Sequence, residues 1–200
     1  MAVDQNLLNQ SLSTAALLGD STLVASLIAE GADPAADGSM ALRFSSMNGH
    51  CECVELLLPL SGAGSCSMAL IMASLCGRAE CVKLVLAISK QVLALNDALE
   101  SAANRGHTGC MLILLPLIPA FSTGALLSAA RSGRAAAVSM LLGANIDYAA
   151  HSSCISEARD CAVDNGHVEC AQILTSVIER FHLDSTTEPA IGAMKPLPRL

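Results

Sequence analysis

The chain has 200 residues, 52% of them apolar, which suffices for one domain or at most two with a sizeable core and excludes the disordered and collagen-like classes. Alanine (33) and leucine (31) supply most of that content, while aromatics are 2%, charged residues 14% and Trp absent; such a surplus of strong helix formers points to closely packed helices rather than sheets. A net charge of -7 and a pI near 5.1 exclude the cationic balance that nucleic acid or an anionic lipid surface demands, and the four aromatics (Phe44, Phe121, Tyr148, Phe181) offer no stacking platform for single strands.

In chain order, residues 1–10 are expected to extend the first helix as a cap, with Leu7 and Leu8 covering it. From Ser11 the chain repeats. Gly19, Gly49, Gly77, Gly106, Gly133 and Gly166 are spaced 30, 28, 29, 27 and 33 residues apart. Eight residues before each stands Ser11, Ala41, Ala69, Ala98, Ala125 or Ala158, followed by Leu12, Leu42, Leu70, Leu99 or Leu126, with Arg159 the exception. Small pairs lie four and three residues before each glycine: Ala15-Ala16, Ser45-Ser46, Ala73-Ser74, Ala102-Ala103, Ala129-Ala130 and Ala162-Val163. Directly after the glycine comes Asp20, His50, Arg78, His107, Arg134 or His167, and then apolar residues at relative positions 4, 5, 8 and 9, one face of an α-helix. Each unit therefore predicts a small-residue helix, a turn at the glycine and a larger-residue helix. No unit of this size buries its own apolar face, so the expected fold is all-α, a solenoid of six stacked helix-turn-helix units over residues 11–183. Residues 184–200, with Ser-Thr-Thr and three prolines, are expected to be a mobile tail.

Several chemistries can be weighed on the same residues. Thr108 to Ala130 carries no charged side chain and is long enough to span a membrane, yet Pro116, Pro119 and Ser122-Thr123-Gly124 break it, and it falls in register with charged segments. Membrane insertion is not expected. Nine cysteines are an odd number, and the opening Met1-Ala-Val-Asp-Gln-Asn has neither a basic n-region nor an apolar h-region, so reduced thiols and a cytoplasmic location are expected. Cys53, Cys81, Cys110 and Cys170 share one inward position of the second helix and read as small core hydrophobes. Cys51-Glu52-Cys53 beside His50 does not make a zinc site, because the short spacing aims the two thiols to different sides of a helix and no second ligand pair follows. A nucleophile elbow, a phosphate-binding glycine loop and a His-Glu-x-x-His helix are missing from the sequence. A non-enzymatic chain with no cofactor and no metal is expected.

The six-fold register resembles the ankyrin repeat. The strongest copies are Ala41-Leu-Arg-Phe-Ser-Ser-Met-Asn-Gly-His50 running into Cys53-Val54-Glu-Leu-Leu-Leu58, and Asn165-Gly-His-Val-Glu-Cys170; Ala29-Glu-Gly-Ala-Asp-Pro34 and Leu142-Gly-Ala-Asn-Ile-Asp147 are similar to the segment after the second helix. No copy has the Thr-Pro-Leu-His opening, and most units fall short of the roughly 33 residues the family prefers. The deficit, at Pro59 to Met68 and Pro116 to Thr123, lies where the family places its projecting hairpin finger. Tight loops are thus expected in units two to four, with fuller fingers only at units one and five. The resemblance implies that His50, His107 and His167 are structural turn elements.

It also implies that a partner protein is met on the concave side, by the fingers and the two positions before the turn glycine. Those positions are Met47-Asn48, Leu75-Cys76, Asn104-Arg105, Arg131-Ser132 and Asp164-Asn165; Leu17-Leu18 of unit one are expected to be covered by the N-terminal segment. Arg78, Arg105, His107, Arg131 and Arg134 all lie within two residues of a turn glycine in units three to five, so stacking gathers them into a basic strip. Its flanks are acidic, with Glu52 and Glu55 on one side and Asp160, Asp164 and Glu169 on the other. The expected function is a monomeric interaction module whose partner-binding residues are Met47, Asn48, Leu75, Arg78, Asn104, Arg105, Arg131, Ser132, Arg134, Asp164 and Asn165, with the strip receiving an acidic segment. Two other uses fit the same array: a secreted effector acting on a host protein, and a regulatory or inhibitory subunit of an enzyme.

Overall fold

The computed structural model describes residues 4–88, 94–143 and 148–186. Among them are twelve α-helices in six pairs: α1 (Gln5–Leu18) and α2 (Ser21–Ala29), α3 (Ala36–Asn48) and α4 (Cys51–Leu57), α5 (Ala63–Leu75) and α6 (Ala79–Ile88), α7 (Leu95–Arg105) and α8 (Thr108–Leu114), α9 (Thr123–Arg131) and α10 (Ala135–Gly143), α11 (Tyr148–Asp164) and α12 (Val168–Thr186). The described residues contain no strand. The first helices form one row, each against the next from α1 through α3, α5, α7 and α9 to α11. The second helices form a parallel row from α2 to α12. This is the expected all-α solenoid of six stacked units.

The core follows the sequence register. Ala69, Leu70, Ala73 and Ser74 of α5, Ala98, Leu99, Ala102 and Ala103 of α7, and Ala125, Leu126, Ala129 and Ala130 of α9 are all buried, so methyl-sized faces let neighbouring first helices approach while one leucine per unit fills the seam to the second row. Cys53-Val54, Cys81-Val82, Cys110-Met111 and Ala137-Val138 are buried on the second helices. Burial pushes the Cys110 thiol up to about 11 and raises Cys53, Cys154 and Cys170, as it should for thiols held as core hydrophobes.

Each pair is joined at its glycine by the same turn. The backbone N–H of the residue after the glycine reaches back five positions: His50 to Ser45 O (2.9 Å), Arg78 to Ala73 O (2.8 Å), His107 to Ala102 O (2.8 Å), Arg134 to Ala129 O (2.9 Å) and His167 to Ala162 O (2.8 Å). This closes the first helix and requires a left-handed residue, which is why glycine recurs, for example at Gly106 with φ 77°. Other junctions vary. Units two and four end in tight 3-10 turns, Leu58–Leu60 and Leu115–Leu117, each wound about a proline. The breaks expected between Thr108 and Ala130 are present, and among the described residues no helix is long and apolar enough to cross a membrane. After unit one the chain makes a succession of turns rather than a hairpin, with Asp37, Gly38 and Ser39 all left-handed and the Ser39 hydroxyl 2.8 Å from that of Ser65. The loops of units three and five and the tail 187–200 lie outside the described residues.

The expected helical extension at the N-terminus is present, since α1 runs unbroken from Gln5, but two expectations about its leucines need correction. Only Leu8 of the first pair is buried; Leu7 points to solvent. Leu17 and Leu18 are not covered: Leu18 is 73% exposed, because α1 runs straight to the turn and its upstream residues lie along the helix instead of folding over its tip. At the other boundary α12 continues to Thr186, past the expected end at 183.

Candidate functional site

The side chain after each turn glycine decides what the turns present. In unit one this residue is Asp20, and its carboxylate caps its own helix by accepting from the Leu23 N–H (2.9 Å) and the Thr22 hydroxyl (2.7 Å), which holds its carboxyl below the usual carboxylate value. In the other five units the side chain turns away from its own helix and latches the preceding unit. His50 Nε2 meets Leu17 O (3.1 Å), Arg78 Nε donates to Met47 O (3.1 Å), His107 Nε2 meets Leu75 O (3.1 Å), Arg134 Nε donates to Asn104 O (3.2 Å) and His167 Nε2 meets Arg131 O (3.0 Å). A carbonyl only accepts, so in each histidine Nε2 carries the proton. The accepting carbonyl always lies two residues before a turn glycine.

These latches also fill space. A Cβ on Gly133 would lie 2.5 Å from His167 Nδ1, one on Gly77 2.7 Å from His107 Nδ1, and one on Gly49 3.0 Å from Arg78 Cδ. Gly19, Gly49, Gly77, Gly106 and Gly133 are therefore required twice, for their own φ and for the side chain of the following unit that crosses them, whereas Gly166 is required for its φ alone. Histidine and arginine alternate along the array because either can place one N–H donor over the glycine. Arg78, His107 and Arg134, read from sequence as part of a free strip, are thus partly committed to holding the stack.

The candidate partner residues sit on the last turns of α3, α5, α7, α9 and α11. Met47, Asn48, Leu75 and Ser132 are half-buried, while Asn104, Arg105, Arg131, Asp164 and Asn165 are exposed. Some of their polar capacity is already used: the Asn48 amide donates to Phe44 O (3.0 Å), that of Asn165 to Cys161 O (2.7 Å), and the Ser132 hydroxyl donates across the unit boundary to Asn104 Oδ1. Arg105 and Arg131 have no such commitment. The guanidinium groups of Arg78, Arg105, Arg131 and Arg134 are exposed on consecutive turns of units three to five, and the ion pairs of the described residues, Lys83–Glu80 and Arg159–Asp160, involve none of them. The stacking of α5, α7 and α9 places the turns that carry these four at the same end of successive units, whereas Asp164 and the following Asn165 stand at the end of α11. Glu100 of α7 faces the same row and accepts from the Ser128 hydroxyl (2.8 Å).

Sequence spacing missed two features. The thiols of Cys51 and Cys81 touch across units two and three, 3.2 Å apart. Beyond α11 a hollow of about 400 Å³ opens between Val163, Gly166, Val168, Ala171, Thr175 and Glu179, where no further latch crosses the turn. The thiol contact lies between units, which a repeat register locates only after the stacking direction is known; the hollow lies within unit six, between the end of α11 and α12. Among the described residues no group of three or more His, Cys, Asp or Glu side chains is placed to share a metal ion.

Comparison with known proteins places this architecture. A family model described as ankyrin repeats (3 copies) matches residues 12–97. The fold is similar to the crystal structure of the human ASB11 ankyrin repeat domain, with a TM-score of 0.67 at 21% identity over 82% of each chain. No curated protein matches in sequence. The matched residues take in the first three units and α7 begins within them, while the same turn and the same latch continue through units four to six: the chain carries ankyrin repeats over residues 12–97 and has the fold of an ankyrin repeat domain.

Proposed function

We propose that this array is a non-enzymatic interaction module that receives an acidic segment of a partner protein along the turns of units three to five. Ankyrin repeats generally mediate protein–protein interaction, which supports the class. The observation that carries the finer reading is the set of four exposed guanidinium groups, Arg78, Arg105, Arg131 and Arg134, without ionic partners among the described residues of a chain whose net charge is -7. Exposed arginines that are not neutralised internally are available for bidentate pairing with carboxylates. Met47 and Leu75 supply apolar surface beside them, and Asp164 at the far end repels an acidic segment and so sets where it stops. The nine free thiols support a reducing, cytosol-like compartment.

The test separates binding from folding by sparing the latches. Arg105→Glu/Arg131→Glu is expected to keep the far-ultraviolet circular dichroism spectrum and melting temperature of the parent while losing at least tenfold in affinity for proteins captured from lysate at low salt. Equal capture by the parent and the double variant, or capture indifferent to about 0.5 M salt, rejects the basic strip as the binding surface.

A further inference from the structure

We propose that Cys51 and Cys81 form a modification site, a dithiol between units two and three that a peroxide-class oxidant converts to a disulfide tying α4 to α6. The register explains why the pair occurs here. Here the residue two positions after one turn glycine touches the residue four positions after the next. Across the five boundaries these pairs are Ser21 with Cys53, Cys51 with Cys81, Ala79 with Cys110, Thr108 with Ala137, and Ala135 with Cys170. Cysteine is the usual core residue at the second position, yet only unit two places a thiol at the first. Their sulfurs are 3.2 Å apart, and a disulfide at about 2.05 Å needs an approach of only about 1 Å. Among the described residues none of the other seven thiols is in contact with a second one.

Access is asymmetric in the way a two-step reaction requires. The two cysteines line a surface hollow of about 360 Å³ with Asn48, Gly49, Arg78 and Glu80. Cys51, at the first position of α4, is partly exposed, whereas Cys81 is fully buried, and that burial pushes its thiol up to about 12 despite the nearby Arg78 cation. Cys51 therefore reacts first. Its thiolate attacks one peroxide oxygen, the O–O bond breaks, and a sulfenic acid forms as one water leaves. Cys81 then gives up its proton and attacks the Cys51 sulfur, forming the S–S bond and expelling the second water. Two thiols lose two electrons and two protons, and one peroxide becomes two waters. The bond would hold units two and three together beside Asn48 and Arg78, at one edge of the basic strip.

The experiment treats the full chain with hydrogen peroxide, blocks residual thiols and digests with trypsin. Cleavage after Arg43, Arg78 and Lys83 isolates Cys81 as the sole cysteine of residues 79–83, while residues 44–78 hold Cys51, Cys53, Cys66 and Cys76. The expected product joins these two peptides through Cys51, raises the melting temperature by about 5 °C and reverts with dithiothreitol. Cys51→Ser, a residue that unit one already carries at the equivalent Ser21, is expected to abolish both the link and the shift. A chain in which Cys51 proceeds to sulfinic acid while Cys81 remains a free thiol, or in which Cys81 links to another cysteine, overturns the proposal. Peptide mapping of the parent chain alone distinguishes these products, so the result stands even if the variant misfolds.

Discussion

His167 Nε2 lies 3.0 Å from the carbonyl oxygen of Arg131 and its ring covers Gly133, so one side chain both bonds and packs the turn of the preceding unit. Gly166, in the same left-handed conformation at φ 73°, has nothing within 4 Å of a Cβ position. The two glycines separate backbone strain from packing. Gly166→Ala is expected to cost only the left-handed penalty, about 1–2 kcal/mol, while Gly133→Ala costs that and about 1 kcal/mol or more for the displaced latch. Urea denaturation of both variants checks this; equal losses would mean that the His167 ring moves aside freely.

Removing a latch from the other side gives a second measure. His107→Ala is expected to destabilise by about 1 kcal/mol through loss of the bond to Leu75 O and of the packing over Gly77. Arg134→Glu, which removes the donor to Asn104 O, is expected to behave similarly, whereas Arg105→Glu stays within about 0.5 kcal/mol. Chemical denaturation midpoints in one buffer rank the three; an Arg105→Glu loss as large as that of Arg134→Glu contradicts the division between latch and free arginine.

Among the described residues two buried hydroxyls have no partner. Ser46 and Ser74 lie three residues before their turn glycines, where units one, four and five carry Ala16, Ala103 and Ala130. Ser46→Ala and Ser74→Ala are expected to be neutral or to stabilise by up to about 1 kcal/mol, because the desolvated oxygen gains nothing in return. A clear loss of thermal stability in either variant would reveal a hydrogen bond at that site.

Asp20 supplies a pH dependence. The Thr22 hydroxyl and the Leu23 N–H favour its ionised form, so its folded value lies below its ordinary value of 3.8. The stability it contributes is therefore complete above the unfolded value and is lost as pH falls through the folded one. Asp20→Asn keeps a cap that cannot titrate. The difference in melting temperature between parent and variant should shrink as pH falls from 5 to 2; a constant difference would mean that Asp20 is not ionised in its cap.

Much of this was legible because the repeat register fixes neighbours along each helix. Ala98, Leu99, Ala102 and Ala103 declare one buried face by spacing alone, and the inward Cys110 and Met111 declare the other. The role of the residue after each glycine was not legible. Arg134 is adjacent in sequence to its own turn, but its hydrogen bond is 30 residues upstream, and spacing carries no information about which neighbouring unit a long side chain will cross. The same gap hid the Cys51–Cys81 contact and led the leucines at the tip of α1 to be read as covered. Charge was the better guide at Arg105 and Arg131, whose exposure follows from having no carbonyl or carboxylate to meet.

All five latches run the same way, from a later unit to an earlier one. Synthesis delivers the units in that order, so each turn gains its closing side chain only when the next unit leaves the ribosome. The array thus has a vectorial assembly with a lag of one repeat, and a nascent chain always carries one turn whose glycine is still open.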